Sequence, residues 1–244
     1  DWYQWDPLTY NVPRYGEPRI AATDDNRFVV AWRRQERRSD GWVNDVYLTI
    51  LDSTGTTIKP VWEFTTDSSI AFSPTLAKLT GNRVLVAWQR QGSSAGIHYA
   101  VLDSAGNTIN HTYTAAWGWG PDAAQLSSGR ILLAWTSWEG DQNPQITFTI
   151  LDANTYAILA GPTTFDKPAA VTGDDCVSVA ADSAGHAILT WMDNDWSYRL
   201  NLYYALVDGN GNVLTDPMIF RTSQGIGPRI ETSYEGSGNT SYSW

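Results

Sequence analysis

The chain has 244 residues, with 26 Asp and Glu against 16 Lys and Arg, and a formal net charge of −10. A charge of that sign and size excludes nucleic acid as a partner on electrostatic grounds. The absence of an apolar run of membrane length argues against membrane insertion, and the lone Cys176 excludes an internal disulfide.

In chain order, the aromatic segment Asp1–Tyr10 precedes Pro18, which opens the first of several similar units. Five strand-like runs end in tryptophan: Phe28–Trp32, Val84–Trp88, Ile131–Trp135, Ala187–Trp191 and Thr240–Trp244. Pro18, Pro74 and Pro121 each stand 14 residues before their tryptophan, and Pro228 stands 16 before Trp244. After each of the first four tryptophans come a polar segment and a second run closing in Asp, namely Tyr47–Asp52, Tyr99–Asp103, Phe148–Asp152 and Tyr203–Asp208. Gly55, Gly106 and Gly211 lie three residues past their Asp, where a hairpin needs positive φ. The turn after Asp152 has no such Gly, and Asn154 is expected to take that role.

The tryptophans are 56, 47, 56 and 53 residues apart, room for four short strands per interval. The runs are β-branched and aromatic, bounded by Gly, Asn, Asp and Pro, and no stretch has helical periodicity. Four-stranded units in series bury their apolar faces best when packed radially. The expected fold is therefore all-β, a five-bladed β-propeller of four-stranded antiparallel blades forming a single domain. Its blades are placed at about 18–73, 74–120, 121–173 and 174–227, the last being 228–244 plus 1–17. Only 32 residues join Trp244 through the termini to Trp32, so the last blade is expected to be incomplete or completed by self-association. Six blades shared with another chain is the alternative. A chain opening at Asp1 is expected to be a processed or excised piece.

The unit Pro-x-x-Ala-x-x-x-Gly-x-x-Val-Leu-Val-Ala-Trp, then Ile-x-Tyr-Ala-Val-Leu-Asp-x-x-Gly-Asn-x-Ile, is clearest from Pro74 to Ile109. It resembles the repeats of β-propeller domains in large bacterial and archaeal cell-surface proteins. That resemblance implies architecture and an extracellular, cell-surface setting, and no single activity.

In a four-stranded meander the loops after the second and fourth strands emerge on one face. Those segments hold Trp42, Trp117, Trp119, Trp138, Asp141, Asp193 and Trp196. Indole rings beside planar polar groups suit a sugar, the ring stacking on its apolar face while the polar groups bond its hydroxyls. Tryptophan in such loops also packs structurally between blades, whereas the five repeated tryptophans read as inter-blade core. The expectation is a non-catalytic, lectin-like module binding a carbohydrate or cell-surface polymer without a cofactor, the alternative a structural or assembly subunit of a surface layer.

A glycosidase is a further alternative, with Asp122, Asp175 and Glu231 near the starts of first strands as candidate carboxylates. His98, His111 and His186 lie on different repeats and suggest surface or hairpin positions. Asp208–Asp216 has oxygen ligands at calcium-loop positions without the closing Glu, so an ordinary turn is preferred. Arg33, Arg34, Arg37 and Arg38 form the basic cluster, read as a solvated loop or a site for an anionic partner. Cys176 reads as a buried small apolar residue, and Asn110 and Asn239 open glycosylation sequons by pattern.

Overall fold

The computed structural model describes residues 12–38, 41–66, 70–92, 94–114, 116–137, 144–168, 177–195 and 199–222. They form four four-stranded antiparallel sheets, each a simple meander in sequence order. Sheet 1 holds β1 (Arg14–Ala22), β2 (Arg27–Arg38), β3 (Gly41–Asp52) and β4 (Thr57–Glu63). Sheet 2 holds β5 (Ile70–Leu79), β6 (Arg83–Gln91), β7 (Gly96–Asp103) and β8 (Thr108–Tyr113). Sheet 3 holds β9 (Gly118–Leu126), β10 (Arg130–Ser137), β11 (Gln145–Asp152) and β12 (Ile158–Pro168). Sheet 4 holds β13 (Ser178–Ala181), β14 (His186–Asp195), β15 (Arg199–Asp208) and β16 (Val213–Thr222).

The expected runs are the second and third strands of these sheets, and each third strand ends at the Asp read from the sequence. First strands pack on one another in succession, β1 on β5, β5 on β9 and β9 on β13. The arrangement is β-propeller-like. Four sheets are described rather than the five blades expected: residues 228–244 and 1–11 lie outside the described residues, as does Cys176, and Arg14–Glu17, expected in the last blade, belong instead to β1 of sheet 1.

Every strand alternates its side chains between two faces, and in sheets 2 and 3 both faces are covered by neighbouring sheets. Odd residues Ile131, Leu133 and Trp135 of β10 pack against sheet 2, while even residues Leu132 and Ala134 pack against sheet 4. The three interfaces share one plan: Trp88 lies between sheets 1 and 2, Trp135 between 2 and 3, and Trp191 between 3 and 4. An aromatic residue of the preceding sheet meets two of these indoles, Phe64 edge-on to Trp88 at 5.3 Å and Phe165 stacked on Trp191 at 5.5 Å. Trp32 occupies the equivalent position in sheet 1 but faces away from sheet 2, and it is half-buried, stacked on Tyr47.

A second repeated device was not read from the sequence. The turn joining first and second strands ends in a positive-φ residue, Asn26, Asn82, Gly129 or Gly185, followed by Arg27, Arg83, Arg130 or His186. Each of these guanidinium groups reaches the outer turn of the next sheet. Arg27 donates to the Ser104 carbonyl at 2.9 Å, Arg83 to Ala153 at 3.1 Å and Arg130 to Gly209 at 2.9 Å. His186, in the fourth copy, instead bonds Asp182.

In the outer turns Gly55, Gly106 and Gly211 have positive φ as expected, and the carboxylate of Asp52, Asp103, Asp152 or Asp208 caps backbone N–H groups of its own turn, as Asp182 does in the β13–β14 turn. After Asp152 the positive φ falls on Tyr156 (60°) instead of Asn154, because this turn is one residue longer. Outermost strands β4, β12 and β16 carry Pro60, Pro162 and Pro217, which remove donors from exposed edges.

Two stability predictions follow from these contacts. Arg83→Met is expected to lower unfolding free energy by about 1.5–3 kcal/mol, the range for a hydrogen bond to a charged group, measured by urea denaturation. A Cβ at Gly118 would fall within contact of the Trp135 indole and the Thr136 carbonyl oxygen. Gly118→Ala should therefore cost about 1–3 kcal/mol through overpacking, whereas Gly129→Ala, with open space around it, should show only the strain of its positive φ.

Candidate functional site

The first strands of sheets 1, 2 and 3 begin beside the ends of their second strands, and each begins with a bulge. Glu17, Ser73 and Gly120 each precede the unit-opening proline with φ of 56°, 46° and 58°, and the register slips at each of these points. Proline disfavours right-handed helical geometry in the residue before it, and pairing with the second strand limits the alternatives. For Glu17 and Ser73 this is an uncommon conformation.

Glu17 uses it to reach the neighbouring sheet. Its Oε2 accepts the Ser73 N–H at 2.6 Å and its Oε1 pairs with Arg33 Nε at 3.0 Å. Two residues after each bulge proline's predecessor come Arg19, Thr75 and Asp122, each opposite the alanine that precedes the tryptophan. Asp122 ties three sheets together, its Oδ1 accepting from Thr75 Oγ1 at 2.9 Å and its Oδ2 from the Val179 N–H at 2.7 Å. Enclosure of this carboxylate pushes its pKa up to about 6, against the lowering effect of those hydrogen bonds. Glu17 and Asp122 thus grip the same strand, β5, two residues apart.

Of the sugar-site candidates, the structure brings Trp117 and Trp119 together, edge to face at 6.0 Å, where sheet 2 leads into sheet 3. Trp117 is 49% exposed and Trp119 half-buried, three residues along β9 from Asp122. Behind them Gly118 lets the Trp135 indole approach, and Trp135 Nε1 and Thr136 Oγ1 are buried without a hydrogen-bond partner. Trp42 is elsewhere, near the tip of the β2–β3 hairpin with the Arg14 guanidinium over its ring at 5.9 Å. Asp193 lies in β14, and its side chain is outside the described set. Trp138, Asp141 and Trp196 fall outside the described residues, as do Asp175, Glu231 and Asn239.

The arginine cluster is strand, not loop. Arg34 bonds Glu36 at 2.7 Å, and Arg38 holds Glu36, Asp45 and Glu63 at 2.8, 3.0 and 3.1 Å. The cluster covers the face of sheet 1 turned away from sheet 2, with the Tyr47 hydroxyl donating to Glu63 at 2.9 Å. Burial first, then repulsion from Glu63, raises Asp45 to about 6. Burial and that hydrogen bond push Tyr47 up to about 12. His98 corrects the expectation of surface histidines: it is buried in β7, its Nε2 within 2.8 Å of the Ser94 carbonyl oxygen.

Among the described residues no group of three or more His, Cys, Asp or Glu side chains is placed to hold a metal ion. Asp208 accepts from the Asn210 and Asn212 backbone and from Asn212 Nδ2, so the segment read against the calcium-loop pattern is a capped turn. No described helix is long and apolar enough to cross a membrane.

No protein-family model matches the chain, and no curated protein matches it. Solved structures do. A Dyadobacter fermentans protein of unknown function aligns with a TM-score of 0.58 at 15% identity, over 85% of this chain and 69% of that one. A Hadza microbial sialidase aligns at 0.59 and 13% identity, over 86% of this chain, which spans 47% of the sialidase chain. An endo-arabinase from Bacteroides thetaiotaomicron aligns at 0.51 and 9% identity, over 96% of this chain and 98% of that one. At such identities the likeness is one of fold. The expectation of a non-catalytic module is corrected to this extent: the fold is one that a sialidase and an endo-arabinase also have.

The two raised carboxyls give a pH signature. Asp45 and Asp122 bind their protons more tightly folded than unfolded, where the value is about 3.9. That stability is complete below about pH 4 and is lost as pH rises through about 6. Asp52 and Asp152, lowered chiefly by the Thr54 hydroxyl and the Thr155 N–H, act oppositely, their contribution being lost on acidification below the normal carboxylate value. Asp45→Asn should therefore flatten the fall in urea midpoint between about pH 4 and 6. An unchanged slope would contradict the assignment.

Proposed function

We propose that this chain is a glycan-processing domain that hydrolyses glycosidic bonds at the face where its first strands begin. The observation that carries the reading is the exposed Trp117, set against Trp119, which itself stands three residues along β9 from Asp122, a carboxyl group whose proton is retained to about pH 6. An assembly role would call for this indole to be covered. An indole with a free face is what a pyranose or furanose ring stacks on, and hydrolysis needs one protonated and one ionised carboxyl group. Asp122 is suited to the acid role, and Glu17, ion-paired with Arg33, to that of the carboxylate. A sugar entering here would displace the Thr75 contact to reach Asp122. The shared fold with a sialidase and an endo-arabinase supports the reaction class without fixing the sugar.

The same reading includes a ring closed by Pro228–Trp244 with the N-terminal segment, and an extracellular location. Trp32 supports closure, because it is half-buried at the position where Trp88, Trp135 and Trp191 are buried by a preceding sheet.

The test is release of reducing ends from arabinan, galactan, xylan and sialylated oligosaccharides. Asp122→Asn should lower kcat by about 100-fold or more, the usual contribution of a general acid, while Trp117→Ala should act mainly on KM. Because Asp122 also ties sheets together, its variant must first show a native thermal transition. A folded wild-type chain that cleaves none of these glycans would refute the proposal.

A further inference from the structure

We propose that Thr75 is the positioning residue for the acid Asp122: its hydroxyl keeps the carboxyl proton on Oδ1, accepting from that oxygen while the acid is neutral and donating to it once the proton has gone. The inference rests on the glycan-processing reading and assigns the state of its acid to one side chain. The two carboxyl oxygens face groups of different capacity. Oδ2 lies 2.7 Å from the Val179 nitrogen, whose N–H can only donate, whereas Oδ1 lies 2.9 Å from Thr75 Oγ1, which can donate or accept. A proton on Oδ2 directed at Val179 would break that bond, so the neutral acid carries its proton on Oδ1. Thr75 is then its acceptor. When the carboxyl group ionises, the Thr75 hydroxyl turns and donates to Oδ1, and both oxygens stay bonded.

Its own strand holds Thr75 for this part. It stands opposite Ala87, two residues beyond Ser73, whose N–H is fixed by Glu17, and it is 3% exposed. Among the described residues its hydroxyl has no other hydrogen-bond partner, so nothing there competes with Asp122 for it. Enclosure of Asp122 favours the neutral form, while the Val179 N–H from β13, the Ala123 N–H from β9 and the Arg19 charge from β1 favour the ionised one. None of those three groups can exchange the role of donor for that of acceptor; Thr75 can. On transfer, the Oδ1–H bond breaks as an O–H bond forms to the glycosidic oxygen, which takes the place of Thr75 Oγ1 as acceptor and leaves with the electron pair of its bond to the anomeric carbon. Water then supplies hydroxide to that carbon and a proton to the carboxyl group. A Thr75 hydroxyl that turns to the new charge on Oδ1 makes Asp122 a stronger acid than burial alone would leave it.

The experiment is an NMR titration of the Asp122 carboxyl carbon in the full chain, in Thr75→Val and in Thr75→Ser, with no saccharide present and with Asp122→Asn to identify the signal. Thr75→Val keeps the shape and loses the hydroxyl, so its midpoint should rise by about one pH unit, the size of one lost hydrogen bond to a charged group. Thr75→Ser should restore the wild-type midpoint. The Val179 amide should stay protected from hydrogen exchange on both sides of the wild-type midpoint. On whichever glycan the chain cleaves, Thr75→Val should lower kcat about tenfold with KM unchanged, and the alkaline limb of kcat/KM should move with the NMR midpoint. An unchanged or lowered midpoint in Thr75→Val, or loss of Val179 protection on acidification, overturns the inference while leaving glycan processing intact. The expected midpoints in a chain that cleaves no glycan uphold the placing of the proton and remove the reading it rests on. Should Thr75→Val fail to fold, Val179 protection in the wild-type chain decides the matter.

Discussion

A four-stranded sheet cannot bury two apolar faces by itself, and everything else in this protein depends on how that constraint is met. Sheets 2 and 3 turn one face to the preceding sheet and the other to the following one, and in sheets 2, 3 and 4 a tryptophan at the end of the second strand fills the contact with the preceding sheet. Trp88, Trp135 and Trp191 are 0–3% exposed as a result. Their area burial dominates the local energetics, and their regular position fixes how far each sheet is rotated from the next. The narrow tolerance is visible at Gly118, where the Trp135 indole lies so close that no side chain fits.

Polar contacts then hold the two ends of each interface. On the turn side Arg27, Arg83 and Arg130 reach to carbonyl groups of the following sheet, and Lys59 adds a bond to the Gly106 carbonyl at 2.6 Å. On the opposite side carboxylates do the corresponding work, Glu17 on Ser73 and Asp122 on Thr75 and Val179. The asymmetry has a chemical consequence. Cations at the turn end face backbone oxygens, while at the end where the first strands begin Glu17 and Asp122 accept from groups of β5 and β13.

The bulge before each proline connects architecture to site. It lets a carboxylate at that position leave its own sheet and cap a backbone N–H on the next. In sheet 2 the equivalent residue is Ser73, whose N–H is the one capped, and in sheet 3 it is Gly120, beside Trp119. One conformational feature, repeated three times, carries three different residues and so three different local chemistries. Sheet 1 uses its other face for a compact ionic cluster, in which Asp45 holds its proton because Glu63 and burial outweigh Arg38.

The sequence by itself determined the second and third strands of each described sheet and the core role of Trp88, Trp135 and Trp191, because period, β-branching and turn residues are local properties that these copies repeat; Trp32 is half-buried and Trp244 lies outside the described residues. It also located Trp117 and Trp119, since two tryptophans in a glycine-rich connection are visible without coordinates. Tertiary structure alone decided the rest. Arg33, Arg34 and Arg38 read as a solvated loop, yet they are strand residues in contact with Glu17, Glu36, Asp45 and Glu63, three of which lie on other strands. Glu17 went unnoticed although a residue before each unit-opening proline was there to be compared. Asp122 was singled out for its position, but its proton affinity depends on Thr75 and Val179, from sheets on either side. Periodicity records what each strand must bury; which charges meet across sheets is set by the rotation of one sheet on the next, and no local pattern encodes that angle.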